Sequence, residues 1–100
     1  MFRWKVLMEK QAEAELLLLL NSKKITKEDI KVILKWVADM EEFGPEFISK
    51  SLEWHDHQLD RKWAGFRASA FSHSGRIIYR LIDEKVIVEV IRVTLDHNYK

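Results

Sequence analysis

One hundred residues make one domain's worth of chain, and 47% hydrophobic with 33% charged residues is ordinary for a water-soluble globular fold. The absence of cysteine excludes a disulfide frame and any thiolate metal site. The net charge of +1 excludes little, because it conceals a segregation. Between Glu9 and Asp60 twelve acids face seven lysines, whereas from Arg61 to Arg80 the charged residues are Arg61, Lys62, Arg67, Arg76 and Arg80, with no acid. A basic block of this kind suits a polyanion, unless the two halves simply neutralise one another across the fold.

Phe2 to Leu7 alternates apolar and basic residues and predicts a short half-buried strand. Met8 to Leu20 is rich in Ala, Leu and Glu and predicts a helix closing at Asn21-Ser22. Its apolar run, Leu16 to Leu20, is far too short to cross a bilayer, and the N-terminus lacks a signal-peptide layout; a soluble, cytoplasmic protein without membrane contact is expected.

Thr26 stands three residues before Asp29 in the pattern of a capping box. Ile30, Ile33, Val37 and Met40 then recur at helical spacing, with Trp36 beside them, until Gly44-Pro45 ends the run. Two helices joined by a short polar link predict a hairpin, and Glu46 to Trp54 adds a short third helix. After Asp60 the pattern turns to strands: Phe66 to Phe71, Arg76 to Ile82 and Val86 to Val93, with Asp83-Glu84-Lys85 as the hairpin turn between the last two. The last strand is apolar at nearly every position, which predicts an interior place in the sheet. The fold class is therefore α+β: an N-terminal strand, a two-helix hairpin, then three or four antiparallel strands with the helices on one face. Trp4, Trp36, Phe66, Tyr79, Ile87 and Val90 are the expected core, and Trp54 and Trp63 are expected to anchor the loop between them, with stacking on bases as the alternative.

Of the four histidines, His55, His57, His73 and His97, none lies in an HExxH arrangement. His55-Asp56-His57 reads as solvated loop rather than a metal site, and no metal or cofactor is expected. A glycine-rich phosphate loop and a GxSxG elbow are both missing. Histidines and arginines beside one sheet suit metal-free cleavage of RNA. Histidine titrates in the range needed to take and give protons, and arginine's planar fork matches a phosphate.

Asp56-His57-x-Leu59, followed by Trp63, Gly65-Phe66 and Arg67, resembles the DH-x-L-x-x-x-W-x-G-[YF]-R segment of YafQ-type toxins. Ser74 to Val88, with Arg76 entering a strand and Ile78-Tyr79 following, is similar to the core hairpin of the RelE family. The resemblance implies a RelE-like fold in the RelE/ParE toxin superfamily. It also implies a ribosome-dependent mRNA endonuclease that leaves a 2′,3′-cyclic phosphate and is neutralised by a cognate antitoxin. On this resemblance Arg76 is set against the scissile phosphate, and His57 is an acid–base group or mRNA contact. His97 is a general acid or base, and Tyr99 stacks on a base or polarises the 2′-hydroxyl. Arg67 grips RNA or pairs with the acidic helices; Arg61, Lys62 and His73 are further RNA contacts.

Two positions depart from the YafQ pattern: Ala70 stands where a second histidine is usual, and Ser74 where an acid is. Either the site is centred on arginine as in RelE, or the activity is weakened. The spacing of His97 and Tyr99 departs as well. A ParE-like toxin that binds DNA gyrase and a catalytically silent, antitoxin-binding relative are the alternatives.

Overall fold

The structure, a computed structural model, describes residues 4–83 and 87–95. Its elements in chain order are β1 (Lys5–Met8), α1 (Lys10–Asn21), α2 (Lys27–Phe43), α3 (Pro45–Lys50), β2 (His57–Gln58), β3 (Arg67–Ala70), β4 (Arg76–Asp83) and β5 (Ile87–Thr94). Single 3-10 turns at Leu52–Trp54 and Arg61–Trp63 flank β2.

The start of α2 is specified locally. Asp29 N donates to Thr26 Oγ1 at 3.1 Å and Thr26 N donates to Asp29 Oδ2 at 2.9 Å, a reciprocal capping box. The end of α2 is specified by packing. Gly44 has φ +88°, and a Cβ there would collide with the Trp4 indole, so the chain turns under that ring before Pro45 opens α3. The third helix is shorter than the sequence predicts: Ser51 is extended and breaks it before the 3-10 turn at Leu52–Trp54.

The strands form one sheet in the order β1-β5-β4-β3-β2. β2 to β5 pair antiparallel, and β1 runs parallel to β5. A parallel neighbour needs a crossover, and the chain between β1 and β5 runs through the three helices and then β2 to β4. β5 has a partner on each side, the interior place that its apolar run predicts. β2 is new relative to the sequence reading, where its residues are loop. The expected start of the first strand at Phe2 and the turn residues Glu84 and Lys85 lie outside the described residues.

The core is a layer of helix residues against β4 and β5. Trp36 and Met40 are fully buried, and the edge of Trp36 meets the ring of Tyr79 with centroids 5.3 Å apart. Ala12, Ile25, Ile33, Ile48, Trp54, Phe71, Ile77 and Val93 belong to this cluster, and Trp4 packs half-buried against it. Phe66 does not belong to it: this expected core residue is half-buried against Trp63 instead, edge to face at 5.2 Å. The side chains of Ile87 and Val90 lie outside the described set. Two acids tie helices to strands. Glu15 accepts from Arg92 Nε and Val93 N in β5, and Glu41 accepts from Val6 N in β1. Among the described residues no helix is long and apolar enough to cross a membrane.

Candidate active site

A cleft of about 570 Å³ opens between the segment 53–57 and the turn that joins β3 to β4. Glu53, His55, His57, His73 and Arg76 line it with polar groups, and Val32, Trp54, Ala70 and Phe71 supply apolar wall.

The near side of the cleft is held by a reversal of the chain at His55. Trp54 is buried and fixes the 3-10 turn; His55 then takes a left-handed conformation, φ 46° and ψ 40°, unusual for a residue with a side chain. The reversal sends Asp56 inward, where its side chain has no exposed surface. Its carboxylate there accepts three short charge-assisted bonds among the described residues: Arg67 Nε donates to Oδ1, and Ser69 Oγ and Tyr79 OH both donate to Oδ2, each at 2.6 Å. Burial drives the Tyr79 phenol far above its usual range, and the Asp56 anion adds to this. Burial opposes the charge on Arg67, but Asp56 more than offsets it and holds the guanidinium above its usual range.

With Asp56 anchored, His57 faces outward. Its Nδ1 lies 3.2 Å from the carbonyl oxygen of His55. A carbonyl can only accept, so Nδ1 carries the hydrogen and the neutral ring keeps its lone pair on Nε2. That is the protonation pattern of a general base.

The far side is the turn Phe71–Gly75. Gly75 N donates to Ser72 Oγ and Phe71 N donates to the Gly75 carbonyl. A Cβ on Gly75 would run into the Phe71 ring, so only glycine lets the turn close over it. Arg76 reaches back across the turn, and its Nη1 donates to the carbonyls of Ser72, His73 and Gly75 at 3.2, 3.2 and 2.9 Å. Among the described residues, its Nε and Nη2 have no acceptor, so one donor edge of the fork remains for a ligand. Glu53 pairs with Lys35 at 3.1 Å. Lys35 also binds Asp39 at 3.0 Å, and the hydrogen bond to Asp39, then that to Glu53, holds its ammonium above the usual range.

Of the residues singled out from sequence, His57, His73 and Arg76 meet in this cleft. Arg67 does not; it lies in a separate depression of about 400 Å³ with Gln58, Phe66, Tyr79 and Arg80. Its ion-pair partner is Asp56 of the neighbouring segment, not an acid of the helices. Arg61 and Lys62 are exposed on the 3-10 turn ahead of β3 and do not line the cleft. His97 and Tyr99 lie outside the described residues. The sequence reading missed Glu53 and His55 as cleft residues and Asp56 as the anchor. Among the described residues no group of three or more His, Asp or Glu side chains could hold a metal ion.

The fold is that of the RelE/ParE toxins, as the sequence resemblance anticipates. A point mutant of YafQ from E. coli superposes with a TM-score of 0.65 at 15% identity, over 91% of each chain. A copper-bound mutant toxin from Helicobacter pylori gives 0.65 at 21% identity over 94% of each. The YoeB–YefM complex from Staphylococcus aureus gives 0.67 at 14% identity, over 97% of this chain and 99% of that one. No protein-family model and no curated protein sequence matches the chain. The likeness is one of fold.

Proposed function

We propose that the chain is the toxin of a toxin–antitoxin pair, and that it acts in the cytoplasm as a metal-independent, ribosome-dependent mRNA endonuclease. The observation that carries the reading is the meeting of His57, His73 and Arg76 in one cleft. His57 Nε2 takes the proton of the 2′-hydroxyl. The 2′-oxygen attacks phosphorus, the bond to the 5′-oxygen breaks, and a 2′,3′-cyclic phosphate remains. The open edge of the Arg76 guanidinium faces the charge that gathers on the phosphoryl oxygens. His97 and Tyr99, which the family resemblance brings to the site, are candidates to complete it. Arg61 and Lys62, exposed outside the cleft, hold RNA backbone, where each neutralised phosphate adds affinity, and Arg67 is a further candidate for that role. Support for a cognate antitoxin as partner comes from E. coli YafQ and S. aureus YoeB, solved as DinJ–YafQ and YoeB–YefM complexes.

One observation favours the silent relative: Arg76 spends one of its two terminal nitrogens on its own turn, beside an apolar Ala70. Induction of the wild-type and Arg76→Ala chains in bacteria separates the readings, with growth and primer-extension mapping of a reporter mRNA. Arrest with translation-dependent cuts that vanish in a folded Arg76→Ala is the expected result. Arrest without cuts points to gyrase or another protein target, and no arrest points to the silent relative.

A further inference from the structure

We infer that His55 is a second acid–base residue of this cleft, the group that delivers a proton to the departing 5′-oxygen. The inference rests on the nuclease reading and adds to it a residue that neither the sequence resemblance nor the fold assigns.

Register is the first argument. β2 and β3 pair His57 with Ala68 and Gln58 with Arg67. Continued back one residue, the register sets Asp56 opposite Ser69, and the bond between those two side chains follows it. One residue further, the left-handed backbone of His55 turns the chain out of the strand, and His55 lines the cleft together with Ala70. The methyl group of Ala70 does no acid–base chemistry and leaves room for an imidazole from across the strand.

Backbone geometry is the second. His55 shares its positive φ with Lys23 and Arg61 among the described non-glycine residues, and such conformations persist where the surroundings over-determine them. Here the buried Trp54 precedes it and the anchored Asp56 follows it. The chain holds one imidazole in an unfavourable backbone state at the mouth of the cleft, and that ring is exposed.

The third is the division of labour with His57. The His55 carbonyl fixes the His57 tautomer that makes Nε2 a base. Two residues apart, the Cα atoms are at most about 7 Å from each other, so both rings can address one phosphodiester. Proton balance closes with the pair: His57 gains the 2′-hydroxyl proton, and a protonated His55 loses one to the 5′-oxygen.

The test is cleavage of a synthetic mRNA on programmed ribosomes by the purified protein, with oxygen or sulfur as the 5′ leaving atom at the mapped bond. A thiolate, whose conjugate acid has a pKa of about 8.5, leaves without help from an acid. Asparagine tolerates the left-handed region and keeps the carbonyl that holds His57, so His55→Asn removes the imidazole alone. His55→Gly is the second variant should the first fail to fold by circular dichroism. The expected result is a loss of about a hundred- to ten-thousand-fold on the oxygen substrate, largely restored on the sulfur one. His57→Asn should lose activity on both. Wild-type rates in His55→Asn would overturn the inference while leaving the nuclease reading intact. Equal losses on both substrates would overturn it too, as would sulfur rescue in His73→Asn or His97→Asn instead. A wild-type protein that cuts neither message would sink the nuclease reading and this inference with it.

Discussion

A carboxylate with no exposed surface is costly unless its oxygens are matched, and both Asp56 oxygens are, by Arg67, Ser69 and Tyr79. The network leaves a measurable trace in alkali. An unfolded tyrosine ionises near pH 10, whereas the buried Tyr79, next to an anion, keeps its proton well above that. The folded state therefore binds more protons than the unfolded state above about pH 10, and stability falls as pH rises. Each unit of that rise removes up to about 1.4 kcal/mol for this one group. Tyr79→Phe should cost about 1.5–3 kcal/mol at pH 7 through the lost hydrogen bond to a charged group. That gap should shrink by pH 11, as read from urea unfolding; parallel curves for the two proteins would show that the phenol titrates normally in the fold. At this scale the sequence was half legible. His57, His73 and Arg76 carried motif or type signals and do meet in the cleft. His55 and Asp56 stood in plain view but read as solvated loop, because nothing in the local sequence announces a left-handed histidine that turns its neighbour inward.

Elements whose determinants lie within a few residues were the ones the sequence disclosed. α2 has its cap and its apolar period inside one stretch of chain. Thr26→Ala removes the side-chain acceptor for Asp29 N and should destabilise the protein by about 1 kcal/mol. Urea unfolding would check this; no change would mean that α2 starts where tertiary packing puts it, whatever its cap. β2 shows the converse. Two residues, His57 and Gln58, have no period to detect, and only β3 alongside makes them a strand. The parallel pairing of β1 with β5 was equally hidden, since its partners lie about eighty positions apart. Phe66 misled for a related reason: its strand-like context suggested core, but it sits just before β3 and packs on Trp63 rather than under the helices.

At the scale of the whole molecule, the acidic and basic halves neither ignore nor cancel each other. Arg67 and Arg92 are matched by Asp56 and Glu15, while Arg61 and Lys62 stay exposed and Arg76 keeps one edge toward the cleft. That leaves exposed basic side chains outside the cleft and an arginine beside its imidazoles, a combination that suits metal-free RNA cleavage. The ends left by the proposed cleavage decide its chemistry. Purified protein should be incubated with mRNA on programmed ribosomes, and the termini of the cut fragments determined. Attack by the 2′-hydroxyl requires 2′,3′-cyclic phosphates facing 5′-hydroxyls, in the presence of ribosomes and absent with Arg76→Ala. Fragments ending in 3′-hydroxyls and 5′-phosphates, or an intact message beside a growth-arresting protein, would contradict it.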